Sequence, residues 1–251
     1  MADINQLDLA FVVDTTGSMQ PLINAAQRQM VDMIEALTRA AEVDMRLGIV
    51  EYRDHPPEDT LVFRVFPFTG DLKGAKKTIN ALQAGGGGDL PEAVFAGLVA
   101  AANLAWRKHA RRIAVLVGDA PPHGVGCQGD AFRHGCPSGE TIHSTSAKLE
   151  GASIRLYAIG LTPIVQESFG LLSSLTGGKL FTAAQENAAI QQLAGMLQEE
   201  FGQLRFDQQV YESWRTTREP NVEGVAAGLG APPAKVAAAV SRLFCRDLLK
   251  L

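Results

Sequence analysis

The sequence predicts an α/β fold: a doubly wound, mostly parallel six-stranded sheet with one antiparallel edge strand, plus a small C-terminal helical module. Three observations carry this expectation. Apolar runs of strand length alternate with segments whose apolar residues recur at helical spacing. The run Ile113 to Val117 is apolar throughout, as in a strand covered on both faces. Asp14, Asp54 and Asp119 each follow a strand-like run, which puts them at the edge where ligands gather in such sheets. The 251 residues suit one large domain with a small addition, expected as residues 1–204 and a three-helix tail over 205–251.

The first strand is Leu7 to Asp14, followed by the turn Thr15-Thr16-Gly17-Ser18 and a helix from about Pro21 to Ala40. In that helix Leu22, Ala26, Met30, Met33, Ile34 and Leu37 form one apolar stripe. Met45 to Tyr52 is the second strand, and Leu61 to Phe68, rich in β-formers, returns as a hairpin partner. Asp71 to Ala84 is a short helix broken by Gly85 to Gly88. An Ala-rich helix is expected to start at Asp89, with Pro91 in its first turn. After the central strand comes a Gly- and Pro-rich loop over about 122–139. Then follow a helix at Glu140 to Glu150, a strand at Ile154 to Leu161, a helix at Pro163 to Leu175, a short strand at Lys179 to Thr182, and a helix from Asn187 to about Leu204.

The net charge of −4 argues against a chain whose main business is coating nucleic acid or an anionic membrane. No run is long enough to span a bilayer, and the N-terminus lacks the basic start of a secretory leader. Three cysteines do not make a disulfide framework, so a reducing, cytoplasmic setting is expected.

Asp14, Thr16 and Ser18 are spaced by two, so in an extended stretch a carboxylate and two hydroxyls converge while Gly17 lets the chain turn. Asp119 arrives from the central strand and Asp89 from the glycine-rich loop. Hydroxyl, carboxylate and water oxygens suit a hard cation such as Mg²⁺. Each residue also has an ordinary role: Ser18 can cap the first helix, Asp89 can cap the next with Glu92 in a capping box, and Asp119 can serve a strand-end turn. Asp54 reads as a hairpin-turn ion-pair partner.

These residues resemble the von Willebrand factor type A domain and its metal-ion-dependent adhesion site. The resemblance rests on Asp14-Thr15-Thr16-Gly17-Ser18-Met19, on the Gly85 to Ala93 segment GGGGDLPEA, and on Val117-Gly118-Asp119, and it extends over about residues 5–204. It is nearest the subgroup of hemicentins and von Willebrand-type alpha-kinases, which also carries an acid before Pro-Glu. The resemblance implies a Rossmann-like fold and a bound Mg²⁺, or Mn²⁺ or Ca²⁺, held by Asp14, Thr16, Ser18, Asp89 and Asp119. It further implies an open coordination position for an Asp or Glu of a protein partner. Asp89 stands where many members have Thr, so three acids would surround the ion, or loops would displace Asp89 from it.

Other readings attach to other segments. His123, Cys127, His134 and Cys136 offer zinc ligands, though their spacing matches no compact zinc motif. His55, His109 and His143 read as surface or packing residues. Asp14 resembles a phosphoryl-accepting nucleophile, the basis of a metal-dependent, phosphatase-like alternative. Thr16 stands where that chemistry wants a second acid, and neither a Gly-x-Ser-x-Gly elbow nor a phosphate loop is present. The tail carries seven Lys and Arg against five Asp and Glu. Its segments Val222 to Gly230 and Val236 to Leu249 resemble a helix-turn-helix of the winged-helix kind, with Lys235, Arg242 and Arg246 on the second helix. DNA binding or regulation through this tail is the alternative to a protein-docking module.

Overall fold

The computed structural model describes residues 4–39, 43–182 and 188–249. Six strands, β1 (Gln6–Asp14), β2 (Asp44–Tyr52), β3 (Phe63–Thr69), β4 (Arg111–Gly118), β5 (Ile154–Gly160) and β6 (Leu180–Thr182), form one sheet in the order β3-β2-β1-β4-β5-β6. All pairs are parallel except the β2–β3 hairpin at the edge, as the sequence predicts. The side-chain alternation of β1 explains why its sequence is apolar throughout. Leu7, Leu9, Phe11 and Val13 pack beneath α1 (Ile23–Arg39), α2 (Leu72–Asn80) and α6 (Ala188–Thr216). Val12, with Val50 and Tyr52 of β2, packs beneath α3 (Val94–Ala102), α4 (Ile142–Gly151) and α5 (Gln166–Leu175).

Strand order reverses between β1 and β4, so the crevice at their carboxyl ends is the switch point where such sheets bind ligands. Asp14 ends β1, and Asp119 follows directly on β4.

Two expectations are corrected. The Ala-rich helix begins at Val94, not Asp89, and no side chain caps it. Residues before it find other backbone partners: Gly85 N–H donates to Thr15 O, Gly17 N–H to Gly86 O, Glu92 N–H to Pro121 O and Ala93 N–H to Arg53 O, at 2.8–2.9 Å. Those bonds hold the segment as an extended clamp, with Gly86 and Gly87 at φ of 75° and 78°. The other correction concerns the helix expected to end at about Leu204: α6 runs unbroken from Ala188 to Thr216. Its apolar surface changes clients along its length. Leu197, Phe201 and Leu204 face the sheet, whereas Phe206, Val210, Tyr211 and Trp214 face the tail.

The tail adds α7 (Val222–Leu229), capped by Asn221 accepting from Gly224 N–H at 2.8 Å, and α8 (Pro233–Cys245). Val225, Val236, Ala239 and Leu243 close a separate small core with Val210 and Ile4. The Arg246 guanidinium donates to His109 O at 2.9 Å and to Ile4 O at 2.5 Å, which seats the tail by the amino ends of β1 and β4. No helix among the described residues is long and apolar enough to cross a membrane.

Candidate metal centre

Asp14 is fully buried. Its Oδ1 accepts from Thr16 N–H at 2.9 Å and from Thr16 Oγ1 at 2.6 Å, so the residue after the strand turns back onto the carboxylate. Thr16 Oγ1 lies 3.2 Å from Ser18 Oγ, and Ser18 Oγ donates to Asp119 Oδ1 at 3.0 Å. The two-residue spacing and the adjacency of β1 and β4 thus bring Asp14, Thr16, Ser18 and Asp119 into one hollow. Gly118 is part of its construction. A β-carbon there would sit 2.5 Å from the Tyr52 hydroxyl and 3.3 Å from Asp14 Oδ2.

Asp89 does not join these four by any hydrogen bond. Its Oδ2 accepts from Ala131 N–H at 2.6 Å, and its charged neighbours are His123, Asp54 and Asp130. The acid that the glycine clamp does bring to the hollow is Glu92. A β-carbon on Gly87 would meet Glu92 Oε1 at 3.0 Å and Thr16 Cβ at 3.2 Å, and Glu92 is itself buried. As a capping-box partner Glu92 had an ordinary explanation, which hid it. Nothing in the sequence separates Glu92 from Asp89, the first acid after the glycines; the bonds that pin the clamp to Thr15 and Gly17, remote in sequence, bring Glu92 toward Thr16.

The electrostatics of the hollow are those of acids buried close together. Burial pushes the Asp14 carboxyl up to about 7, opposed by its bonds from Thr16 and by the Tyr52 hydroxyl and reinforced by Asp119. Burial, then Asp14 and Asp54, push Glu92 up to about 10. Asp119 is also raised by burial, against its bond from Ser18. Asp14 Oδ2 and Glu92 Oε2 are buried without hydrogen-bond partners, and among the described residues no Lys or Arg pairs with Asp14, Glu92 or Asp119. An all-oxygen donor set with orphaned carboxylate oxygens fits a hard divalent cation.

Beside this hollow lies a group that sequence reading did not assemble. Asp54, read as a turn ion-pair residue, is fully buried, and its Oδ1 lies 2.6 Å from His123 Nε2. His123 Nδ1 lies 2.9 Å from Asp130 Oδ1. Burial pulls His123 down, but Asp54 and Asp130 outweigh it and hold the imidazole above its ordinary value. The four zinc candidates of the long loop do not form a cluster among the described residues. Cys136 is buried with Sγ 3.5 Å from His55 Nε2, His134 is exposed, and Cys127 Sγ faces Gln128 O.

Comparison with known proteins agrees with this fold. Residues 8–123 match the family model described as von Willebrand factor A domain. The alpha-protein kinase vwkA of Dictyostelium discoideum is 29% identical over 154 residues, covering 60% of this chain and 24% of that protein. An ariadne-like RING finger protein of Acanthamoeba polyphaga mimivirus is 32% identical over 117 residues, covering 47% and 11%. The chain therefore spans a quarter or less of the length of these curated relatives. Among solved structures, a von Willebrand factor type A protein from Catenulispora acidiphila superposes with TM-score 0.55 at 14% identity over 76% of this chain and 42% of that one. The pilus adhesin SpaC of Lactobacillus rhamnosus GG does so with TM-score 0.56 at 12% identity over 79% and 30%. Those two structures speak to the fold. The match over residues 8–123, in a chain with this strand order, identifies that stretch as a von Willebrand factor A domain.

Proposed function

We propose that the chain is a metal-dependent protein-interaction module and not an enzyme. Asp14, Thr16, Ser18 and Asp119 hold a divalent cation, Mg²⁺ or else Mn²⁺ or Ca²⁺, with Glu92 beside them in the role that the sequence assigned to Asp89. The observation that carries this reading is Asp14 Oδ2, a buried, unpartnered carboxylate oxygen in a hollow of oxygens. Thr16 fixes Asp14 through Oδ1 and leaves Oδ2 beside the buried Tyr52 hydroxyl, while Ser18 steers Asp119. A bound hard cation supplies a coordination position for an outside carboxylate, so the partner is a protein presenting Asp or Glu. Among the described residues, no histidine or lysine pairs with Asp14 or Asp119 to act as a general base, in keeping with binding without turnover. Three free cysteines, one buried, are in keeping with a reducing, cytoplasmic setting.

The tail from residue 205 is proposed as a docking element that shares α6 with the domain ending at 204. The basic side chains that a DNA-reading helix would present are engaged within the chain. Lys235 lies over the Phe206 ring, Arg242 pairs with Asp207, and Arg246 holds His109 and Ile4.

The test is Mg²⁺ and Mn²⁺ binding by calorimetry to wild type and Asp14→Ala, paired with capture of partners in Mg²⁺ and in EDTA. Asp14→Ala is expected to keep its circular dichroism, to lose the tight cation, and to lose every partner that EDTA releases from wild type. Unchanged Mg²⁺ affinity in a folded Asp14→Ala would overturn the reading.

A further inference from the structure

We infer that Asp54, Asp89 and His123 form a second cation site, separate from the first, that takes a transition-metal dication of the zinc class. One ligand atom from each of the three lies within 4.8 Å of the others. Asp54 and His123 are fully buried. Each carboxylate uses one oxygen to hold its place. Asp54 Oδ1 accepts from His55 N–H at 2.6 Å and faces His123 Nε2, and Asp89 Oδ2 accepts from Ala131 N–H at 2.6 Å. The other oxygens, Asp54 Oδ2 and Asp89 Oδ1, are buried with no partner. A buried carboxylate oxygen without a donor is costly, and in a native fold it calls for a water, a proton or an ion.

Charge and donor type choose the ion. Asp54, Asp89 and Asp130 surround one imidazole, and among the described residues no Lys or Arg pairs with any of the three. Once the ion takes the place of the His123 Nε2 proton, the three carboxylates carry three negative charges, of which one dication offsets two. An imidazole nitrogen with two carboxylates is a donor set for zinc-class metals, whereas the all-oxygen first site suits Mg²⁺. Asp130 is built as the outer partner of such a ligand. Its oxygens are fixed by Gly124 N–H and Phe132 N–H at 2.8 Å, and its Oδ1 takes the Nδ1 hydrogen of His123. That bond sets the tautomer and turns Nε2 toward Asp54. An entering ion takes the position of the Nε2 proton, which leaves to solvent. The Phe132 ring, edge-on to His123 with centroids 4.7 Å apart, covers the imidazole.

Asp54 follows β2, Asp89 belongs to the glycine clamp and His123 to the loop after β4, so one ion would tie together the three loops that border the first site.

The experiment is elemental analysis of the full chain, stripped with chelator, reloaded with Zn²⁺ in excess Mg²⁺ and desalted, for wild type, Asp14→Ala, Asp89→Asn and His123→Gln. Co²⁺ serves as a visible-absorption probe of an imidazole-bound ion. One Zn²⁺ per chain is expected in wild type and in Asp14→Ala. It should be lost in His123→Gln together with the Co²⁺ bands, and held at least tenfold more weakly in Asp89→Asn. No retained Zn²⁺ in wild type overturns the proposal, as does retention unchanged in the His123 and Asp89 variants. Loss of Zn²⁺ in folded Asp14→Ala also overturns it, because the ion would then belong to the first site. If His123→Gln does not fold, the half-exposed Asp89 decides through Asp89→Asn. Failure of the first site shows separately, as undiminished Mg²⁺ binding by Asp14→Ala.

Discussion

The carboxyl of Asp14, pushed by burial up to about 7, titrates where its oxygen is needed as a ligand. Mg²⁺ must displace that proton, so affinity should be about tenfold weaker at pH 6 than at pH 8. Calorimetry at the two values checks this, and a flat profile would contradict it. The same shift fixes a sign for stability. The folded state keeps a proton that an unfolded carboxyl, with its usual pKa of about 4, gives up first. Stability of the cation-free chain therefore falls as pH rises from about 4 through 7, and Glu92 extends the fall toward 10. His123, raised by its acids, adds stability below its ordinary value that is lost as pH rises through its folded one, so it acts in the same direction. Melting in chelator should accordingly drop from pH 5 to pH 8, and Mg²⁺ at pH 8 should restore much of it. A melting temperature that rises with pH would mean that Asp14 ionises as if exposed.

Among elements, the glycine clamp matters most to the hollow. Gly86 sits at φ 75°, and a β-carbon there would lie 1.8 Å from Asp59 Oδ2, which accepts from Gly87 N–H at 3.0 Å. Gly86→Ala should cost about 1–3 kcal/mol and loosen Glu92, lowering both the melting temperature and Mg²⁺ affinity. Loss of neither would show that the clamp does not position the acid. The strands were legible because burial on both faces imposes uninterrupted apolar runs, as in β4, and β3 was legible as a hairpin return. The clamp was not. Asp89-Leu90-Pro91-Glu92 has every local mark of a helix start, and only bonds to Thr15, Arg53, Gly17 and Pro121, remote in sequence, override it. Asp14, Thr16, Ser18 and Asp119 were legible because strand ends and a two-residue period place them. Asp54, Asp89, His123 and Asp130 come from three loops whose meeting no periodicity encodes.

Across the whole molecule, the tail and the hollow occupy opposite edges of the sheet. β1 has nine residues, so roughly 30 Å of strand separates Ile4 and its tail contacts from Asp14. Leu243→Ala, which empties a fully buried position in the tail core, should cost about 3 kcal/mol yet leave Mg²⁺ affinity within twofold. A large fall in affinity would reveal a coupling that the separation argues against. Ending the chain at residue 204 is a different matter. It cuts α6 in mid-helix and uncovers Ile4 and His109, so the shortened chain should melt lower and associate. Sedimentation at increasing concentration would detect the association.

One further consequence lies in the row Asp14, Thr16, Ser18, Asp119. It contains three oxygen–oxygen contacts, at 2.6, 3.2 and 3.0 Å, but only two hydroxyl hydrogens to fill them. With both carboxylates ionised, Thr16 gives its hydrogen to Asp14 and Ser18 gives its hydrogen to Asp119. The middle contact is then left with lone pairs facing lone pairs. The row is one hydrogen short, and two things can relieve it: a proton taken up by a carboxyl, or a positive ion against which all the lone pairs turn. Acid and metal thus compete to make up the same deficit.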